Sequence, residues 1–349
     1  MMRGISPRSG AIDAVRVLGI VAVVAGHTLN TPLVRPLFFT WHVPLFFFLA
    51  GYFWSNATLT EDLAKRARTL GRPYVTWLLI IALPFVLLDG QPTGARLLGP
   101  FYDGTQSAMP YTTFWFVSAL FFTVILLRCL QIFPLLIRWA IAIAGLALGY
   151  FAGSTLAQTP LSIGSALPCL CFVLFGTLAA KVRPRIRRPA LVGLALLALS
   201  ATLIAAGFAS PLDIKVGDFG TPALSVLVAV SISFALVLVM EALFRHLPVA
   251  VGDGATRLAT AGFTVVLSHP LILWLMLKFF PTVPDWGIFG IAVVVPWIVG
   301  LLSLRTAASP WLTGYTHPVP PVPAPSPDQH RRKPRRRRRP STRAIRKER

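Results

Sequence analysis

The first hydrophobic stretch of the chain contains three side chains that can carry charge. Asp13 and Arg16 are three residues apart, which places them on one face of a helix. His27 follows eleven residues after Arg16, so about three helical turns return it to that face, about 16 Å further along the axis. Charge is costly inside a bilayer and commonly marks a pathway or a reaction site there. The spacing therefore predicts a functional face with an acid and a base near one membrane surface and an imidazole near the other.

Two more histidines and a tryptophan are expected close to that imidazole. His42 lies in the next hydrophobic stretch, which re-enters the membrane on the side where the first one leaves. Trp115 begins the fourth stretch from the same side, and His269 lies near the middle of the ninth. Histidine, with an ordinary pKa of about 6.5, can take a proton from a hydroxyl near neutral pH. We expect His27 to be the base and His42, Trp115 and His269 to line a pocket. Packing is the alternative for each histidine.

The composition indicates the kind of scaffold that holds these groups. The 349 residues are 55% hydrophobic and 13% charged, whereas a soluble domain carries about 25% charge. A helix needs about 20 apolar residues to cross a bilayer. We predict an all-α membrane protein, a bundle of about ten transmembrane helices. The predicted spans are 11–30, 37–55, 74–89, 113–131, 138–153, 163–180, 190–209, 220–244, 259–279 and 286–305.

Charge placement predicts the orientation of this bundle. Cytoplasmic connections are richer in Lys and Arg than outside ones. With both termini cytoplasmic, the outside connections contain only Arg35, Arg96 and Lys215, with Lys278 at the outer end of the ninth span. The inner side then holds Arg3, Arg8, Lys65, Arg66, Arg68, Arg72, Arg128, Arg138, Lys181, Arg183, Arg185, Arg187, Arg188, Arg245 and Arg257. We expect a multi-pass protein of the cell membrane. Arg66, Arg68 and Arg72 can be topology signals alone, and Asp13 and Arg16 a structural ion pair.

The C-terminal segment differs from the rest of the chain. We predict a membrane domain over 1–308 and a disordered cytoplasmic tail over 309–349, proline-rich from Pro318 to Pro327 and then basic. Residues 328–349 hold twelve Lys and Arg against two acidic residues, +10 of the chain's +21. Such a tail is expected to contact anionic lipid headgroups. Its charge alone would permit nucleic-acid binding, but its attachment to a membrane domain argues against that partner.

Two N-terminal motifs carry a family resemblance. Asp-x-x-Arg leads to Gly26-His27-Thr28, and His-x-Pro-Leu-Phe-Phe-Phe-Leu-x-Gly-Tyr begins at His42. This pair resembles the acyltransferase 3 family of integral-membrane O-acyltransferases, and its style is closest to the fucose 4-O-acetylase-like branch. Weaker similarities to the family's motifs occur at 66–74, 114–120, 172–176 and 266–270. The resemblance covers about residues 10–305.

The resemblance implies a reaction and a set of roles. Members of the family transfer an acyl group, usually acetyl from acetyl-CoA, across the membrane to an extracytoplasmic hydroxyl, often on a sugar. By resemblance His27 is the catalytic base, and Arg16, with its neighbour Asp13, belongs to the catalytic set. The family's basic segment meets the CoA phosphates at the cytoplasmic face and corresponds to Arg66, Arg68 and Arg72. The spacing departs from the commoner Arg-x-x-Arg, so which of the three has that role stays open.

Other functions would require other features. A transporter or flippase of envelope glycans also places charge inside a bundle, but it would often show an internal repeat, and none is visible. A metal site formed by His27, His42 and His269 would need a closed ligand set, and no carboxylate accompanies them at that depth. We therefore expect no metal. The acyltransferase is favoured, with acyl-CoA as donor and an extracytoplasmic glycan or glycolipid hydroxyl as acceptor.

Overall fold

The computed structural model describes residues 10–89, 94–106 and 108–315, with the side chains of 95–97 and 100 excepted. Over these residues every regular element is helical, and there is no strand beyond an isolated bridge between Asp213 and Asp218. The α-helices are α1 Gly10–Thr28, α2 Pro44–Tyr52, α3 Leu59–Arg66, α4 Arg72–Leu88, α5 Gly94–Tyr102, α6 Phe114–Leu130, α7 Leu135–Ala157, α8 Ala166–Val182, α9 Pro189–Ala205, α10 Leu224–Phe244, α11 Val249–Phe279, α12 Asp285–Ser303 and α13 Ser309–Leu312.

Seven helical units among the described residues are long and apolar enough to cross a membrane. They are α1, α7, α10, α11, α12, the continuous unit Leu59–Leu88 and the unit Pro160–Arg185 around α8. Helices α6 and α9 are apolar but have only 17 residues each. The prediction of an all-α, multi-pass membrane protein is confirmed for this part of the chain. The count of ten spans and the cytoplasmic position of both termini stay predictions.

The second predicted span is broken where His42 lies. A five-residue π-helix, Arg35–Phe39, is followed by a turn and then by α2, which begins at Pro44 and has nine residues. Two side chains of the turn bond to carbonyls one helical turn earlier: Trp41 Nε1 donates to Leu37 O at 2.7 Å, and His42 Nδ1 donates to Phe38 O at 2.6 Å. The Phe38 carbonyl also accepts the backbone N–H of His42, at 3.0 Å. The break therefore orients His42.

Close helix packing forms the core around α1 and α2. Helix α1 packs chiefly against α11 and α10, and α2 packs against α8. A Cβ at Gly51 would overlap the carbonyl of Val173, and one at Gly176 would overlap the carbonyl of Phe48. Small residues let helix backbones approach in this way inside a membrane. The short α2 is thereby fixed against α8 in spite of its length.

The structure describes residues 309–315 of the predicted C-terminal tail. They form the single turn of α13 and the residues after it, which pack beside α4. Trp77 Nε1 donates to Leu312 O at 3.0 Å, and Thr264 Oγ1 donates to the same oxygen at 3.1 Å. The proline-rich and basic segments predicted from Pro318 onward lie outside the described residues.

Candidate active site

A cavity of about 200 Å³ lies at the C-terminal end of α1. Its walls come from α1, the broken segment around residues 35–46, the start of α6, the connection between α9 and α10, and α11. The structure thus brings His27, His42 and Trp115 to one cavity. The lining residues are Val23, His27, Arg35, Phe39, His42, Val43, Phe46, Thr112, Thr113, Trp115, Phe116, Leu212, Asp213, Ile214, Lys215 and Val266.

His27 is joined to His269 by a hydrogen bond between ring nitrogens. His27 Nδ1 lies 3.0 Å from His269 Nε2, with the rings stacked at a centroid distance of 5.2 Å. The other nitrogen of His269, Nδ1, lies 2.8 Å from the carbonyl oxygen of Val265. His269 is fully buried and does not line the cavity. The structure therefore places it behind His27, and not on the pocket wall where the sequence had suggested it.

A proline in α11 shapes the wall next to this pair. Pro270 lacks the N–H that would bind the carbonyl of Val266 four residues earlier. Thr113 Oγ1 donates to that carbonyl instead, at 2.8 Å. The bond ties α11 to the residue that precedes α6, and Thr113 and Val266 both line the cavity. Trp115, two residues further on, is 5% exposed, so its ring is part of a packed wall.

Three charged residues outside the predicted site, Arg35, Asp213 and Lys215, lie at the same cavity. Arg35 Nη2 lies 3.5 Å from Asp213 Oδ2, and Lys215 Nζ donates to Thr112 Oγ1 at 2.8 Å. Burial lowers the pKa of Lys215, against the opposing effect of Asp213. Burial likewise raises the pKa of Asp213, with Arg35 and Lys215 acting in the opposite direction. The scarcity of charge in the predicted outside connections was the signal that could have marked these residues.

Asp13 and Arg16 form an ion pair that does not line this cavity. Arg16 Nη1 lies 2.6 Å from Asp13 Oδ1, near the opposite end of α1 from His27. The Asp13 side chain is 2% exposed and that of Arg16 is 31% exposed. The guanidinium also lies over the Phe53 ring, 4.9 Å from its centroid. The structure does not bring this pair together with the three cavity residues.

The predicted donor-binding arginines have different surroundings. Arg66 forms an ion pair with Asp62 at 3.1 Å, and the other oxygen of Asp62 binds the buried Arg128 at 3.0 Å. Arg68 and Arg72 are exposed. Arg68 Nε donates to the carbonyl of Ala64, and the Arg72 guanidinium lies 5.5 Å from the centroid of the Trp311 ring. Arg66 is thus held in a network with Asp62 and Arg128, whereas the other two present cations at the surface.

Two neighbouring apolar pockets, together called the groove, lie beside α4 and α6 next to this basic segment. One part, of about 700 Å³, is lined by Arg72, Gly71 and Trp311 among others. A second part, of about 200 Å³, shares Gly71 and Phe121 with the first and is also lined by Tyr74 and Ser118. The Tyr74 hydroxyl is buried, and the exposed walls of the second part are apolar. That part is therefore suited to the apolar portions of a guest.

No group of three His, Cys, Asp or Glu side chains within the described ranges could hold a metal ion. The three cysteines are free, with Cys129 exposed and Cys169 and Cys171 buried.

Comparison with known proteins gives two matches. A family model for the acyltransferase 3 family, described as an acyltransferase domain, matches residues 9–305. The nodulation protein NolL of Mesorhizobium japonicum (strain LMG 29417 / CECT 9101 / MAFF 303099) is 28% identical over 178 residues. That alignment covers 45% of this chain and 45% of the relative, so the chain spans less than half of the relative's length. No solved structure matches the chain.

Proposed function

This chain belongs to the acyltransferase 3 family, and we propose that it is a plasma-membrane O-acyltransferase that uses acyl-CoA. The donor is cytoplasmic, the transferred group is acetyl, and the acceptor is a hydroxyl of an extracytoplasmic cell-envelope glycan or glycolipid. One observation carries this proposal: His27 lines the cavity, and its Nδ1 is hydrogen-bonded to His269, which leaves Nε2 for the acceptor hydroxyl. The fucose 4-O-acetylase-like branch is part of the same proposal and rests on the two N-terminal motifs.

His27 acts as general base in this proposal. Its Nε2 takes the proton of the acceptor hydroxyl as the hydroxyl oxygen attacks the thioester carbonyl carbon. The carbon–sulfur bond then breaks, and the proton on Nε2 passes to the sulfur, which leaves as the free thiol of CoA. The products are an ester and CoA, and His27 is regenerated. General-base catalysis of this kind contributes about 10²–10⁴-fold to the rate.

The charges around the cavity favour an acceptor that carries an anionic group. Arg35 and Lys215 contribute two cations and Asp213 one carboxylate. An acceptor phosphate or carboxylate would add hydrogen bonds from charged donors, which are stronger than neutral ones. Thr112, already bound to Lys215, adds a hydroxyl on the same wall. We therefore expect the reacting hydroxyl to belong to a negatively charged glycan or glycolipid.

The donor site is proposed at the basic segment and the groove between α4 and α6. The exposed guanidiniums of Arg68 and Arg72 suit the phosphates of CoA, because arginine binds phosphate with two parallel hydrogen bonds. Arg72 lines one part of the groove, and Tyr74 of α4 and Ser118 of α6 line the other. Helix α6 begins at Phe114, next to Trp115. The pantetheine arm would occupy this groove. Arg66 has a supporting role beside Asp62.

Analysis of cell-envelope glycans tests the function. We expect envelope material from cells that express the wild-type chain to contain a base-labile acyl ester on a fragment with a phosphate or carboxylate. The ester should be absent without the gene and with His27→Ala, because the proposed general base is then missing. His246→Ala serves as the matched control, since His246 is exposed and distant in sequence from every cavity residue. Mass spectrometry of released glycans measures the outcome, and full acylation by the His27→Ala chain would contradict the proposal.

A further inference from the structure

We propose that His269 is a positioning residue that fixes the tautomer of His27. The inference rests on the proposed function, because it concerns how the base of that reaction is prepared. His269 belongs to α11 and lies 242 residues from His27 in the chain. It does not line the cavity, so it acts on the acceptor only through His27.

The direction of the hydrogen bonds follows from the Val265 carbonyl. A carbonyl oxygen only accepts, so His269 Nδ1, 2.8 Å away, carries the hydrogen. In a neutral ring the second nitrogen then has a lone pair, so His269 Nε2 is an acceptor. The atom 3.0 Å from it is His27 Nδ1, which must therefore carry the hydrogen of its own ring. His27 Nε2 is left with a lone pair, the form that a general base requires.

This arrangement matters because the wrong tautomer of His27 is inactive as a base at Nε2. With the hydrogen on Nε2, the lone pair would lie on Nδ1 and face His269, where no acceptor hydroxyl can reach. In serine proteases, loss of the correct histidine tautomer costs about 10⁴-fold in kcat. His269 Nε2 also accepts a hydrogen bond from the imidazolium that forms when His27 takes the proton, which stabilises the charge during the reaction.

His42 shows why a separate residue is needed for His27. The Nδ1 of His42 donates directly to the carbonyl of Phe38 in its own segment, at 2.6 Å. Local backbone therefore sets the tautomer of His42. For His27, the acceptor is the ring of a residue from another helix, and that ring is in turn oriented by Val265. The Val265 carbonyl thus orients the ring of His269, and His269 in turn orients the ring of His27.

Kinetics of the full-length protein in detergent or nanodiscs test the role. We expect His269→Phe, which keeps a ring but removes both ring nitrogens, to lower kcat about 10²–10⁴-fold with little change in the KM for acetyl-CoA. His269→Gln offers an amide oxygen to His27 Nδ1, so it should recover about tenfold over the phenylalanine variant. A packing role predicts the opposite order, with phenylalanine the better replacement. Transfer within threefold of wild type by a folded His269→Phe protein would overturn the proposal.

Nitrogen-15 NMR of the histidine rings tests the positioning role of His269 without relying on activity. In ¹⁵N-histidine-labelled protein, the His27 signals are identified as those lost in His27→Gln. We expect His27 to carry its hydrogen on Nδ1 in the wild type and to change its tautomer distribution in His269→Phe. An unchanged His27 tautomer in that variant would overturn the positioning role while leaving His27 as the base. Wild-type-like transfer by His27→Gln would instead overturn the proposed function itself.

Discussion

His27 and Arg16 belong to one helix face, but the structure gives them separate surroundings. His27 lines a cavity and binds His269, whereas Arg16 pairs with Asp13 near the other end of α1. Helical periodicity predicted the shared face. It could not predict the partner of His27, because a contact between residues 242 positions apart depends on how α1 packs against α11. The same limit applies to Lys215, whose place at the cavity follows from the fold of the connection between α9 and α10.

The arginines of the basic segment allow a prediction at the level of single residues. Replacing Arg68 and Arg72 together by Gln should raise the KM for acyl-CoA at least about tenfold, because even one charged hydrogen bond to phosphate contributes about 1.5–3 kcal/mol. Steady-state kinetics with varied acetyl-CoA measure the effect. The matched control is Arg187→Gln with Arg188→Gln, an exposed basic pair on the same predicted face. An equal change in KM for both double variants would indicate a general charge effect and remove the specific role.

At the scale of elements, hydrophobic periodicity predicted helices along the chain but missed their interruptions. The 37–55 stretch is mostly apolar, yet the π-helix Arg35–Phe39, a turn and the nine residues of α2 occupy it. Side-chain bonds from Trp41 and His42 to the carbonyls of Leu37 and Phe38 accompany the interruption, and hydropathy does not register such bonds. The segment before α4 also contains a π-helix that hydropathy did not predict. The predicted span began at residue 74, whereas the π-helix Ala67–Gly71 joins α3 directly to α4.

The contact between α2 and α8 gives a prediction about stability. Gly176→Ala should destabilise the folded protein by about 1–3 kcal/mol, because the new methyl group would overlap the carbonyl of Phe48 and force the helices apart. Gly290→Ala, in α12, has open space at its Cβ and should be neutral or slightly stabilising. Thermal unfolding in one detergent compares the two. Equal midpoints for both variants would show that the α2–α8 approach is not tight.

At the scale of the whole molecule, the described part of the chain is an all-helical membrane protein with an acyltransferase 3 domain over residues 9–305. Composition was sufficient to predict this class, since 55% hydrophobic residues in long runs can be buried only by lipid and by each other. Composition does not predict the orientation of the protein in the membrane. That orientation depends on which side retains the basic residues during insertion, so the cytoplasmic position of both termini stays a prediction from charge placement.

The basic C-terminal segment is predicted to be dispensable for the reaction. Truncation after Thr316 retains α13 and its bonds to Trp77 and Thr264, and removes only residues beyond the described part of the chain. The kcat and KM of the purified truncated enzyme should equal those of the full chain, because all of the proposed site lies before residue 316. Its binding to vesicles with anionic lipid should fall, because each Lys or Arg near such a surface contributes about 1 kcal/mol. A large loss of kcat would place part of the tail in the active site.

Transfer across a sealed membrane would show whether a donor on one side acylates an acceptor on the other, with His27 as the base. Proteoliposomes would contain envelope glycolipid extract on the inside and receive acetyl-CoA, labelled in the acetyl group, on the outside. Protease treatment would measure the fraction of enzyme molecules inserted in each orientation. We expect alkali-labile label on the internal acceptor with wild-type protein, and a loss of about 10²–10⁴-fold in the rate of labelling with His27→Gln. The His246→Gln control should label the acceptor as the wild type does. Labelling by His27→Gln at the wild-type rate, or label that forms only when donor and acceptor share one side, would contradict the account.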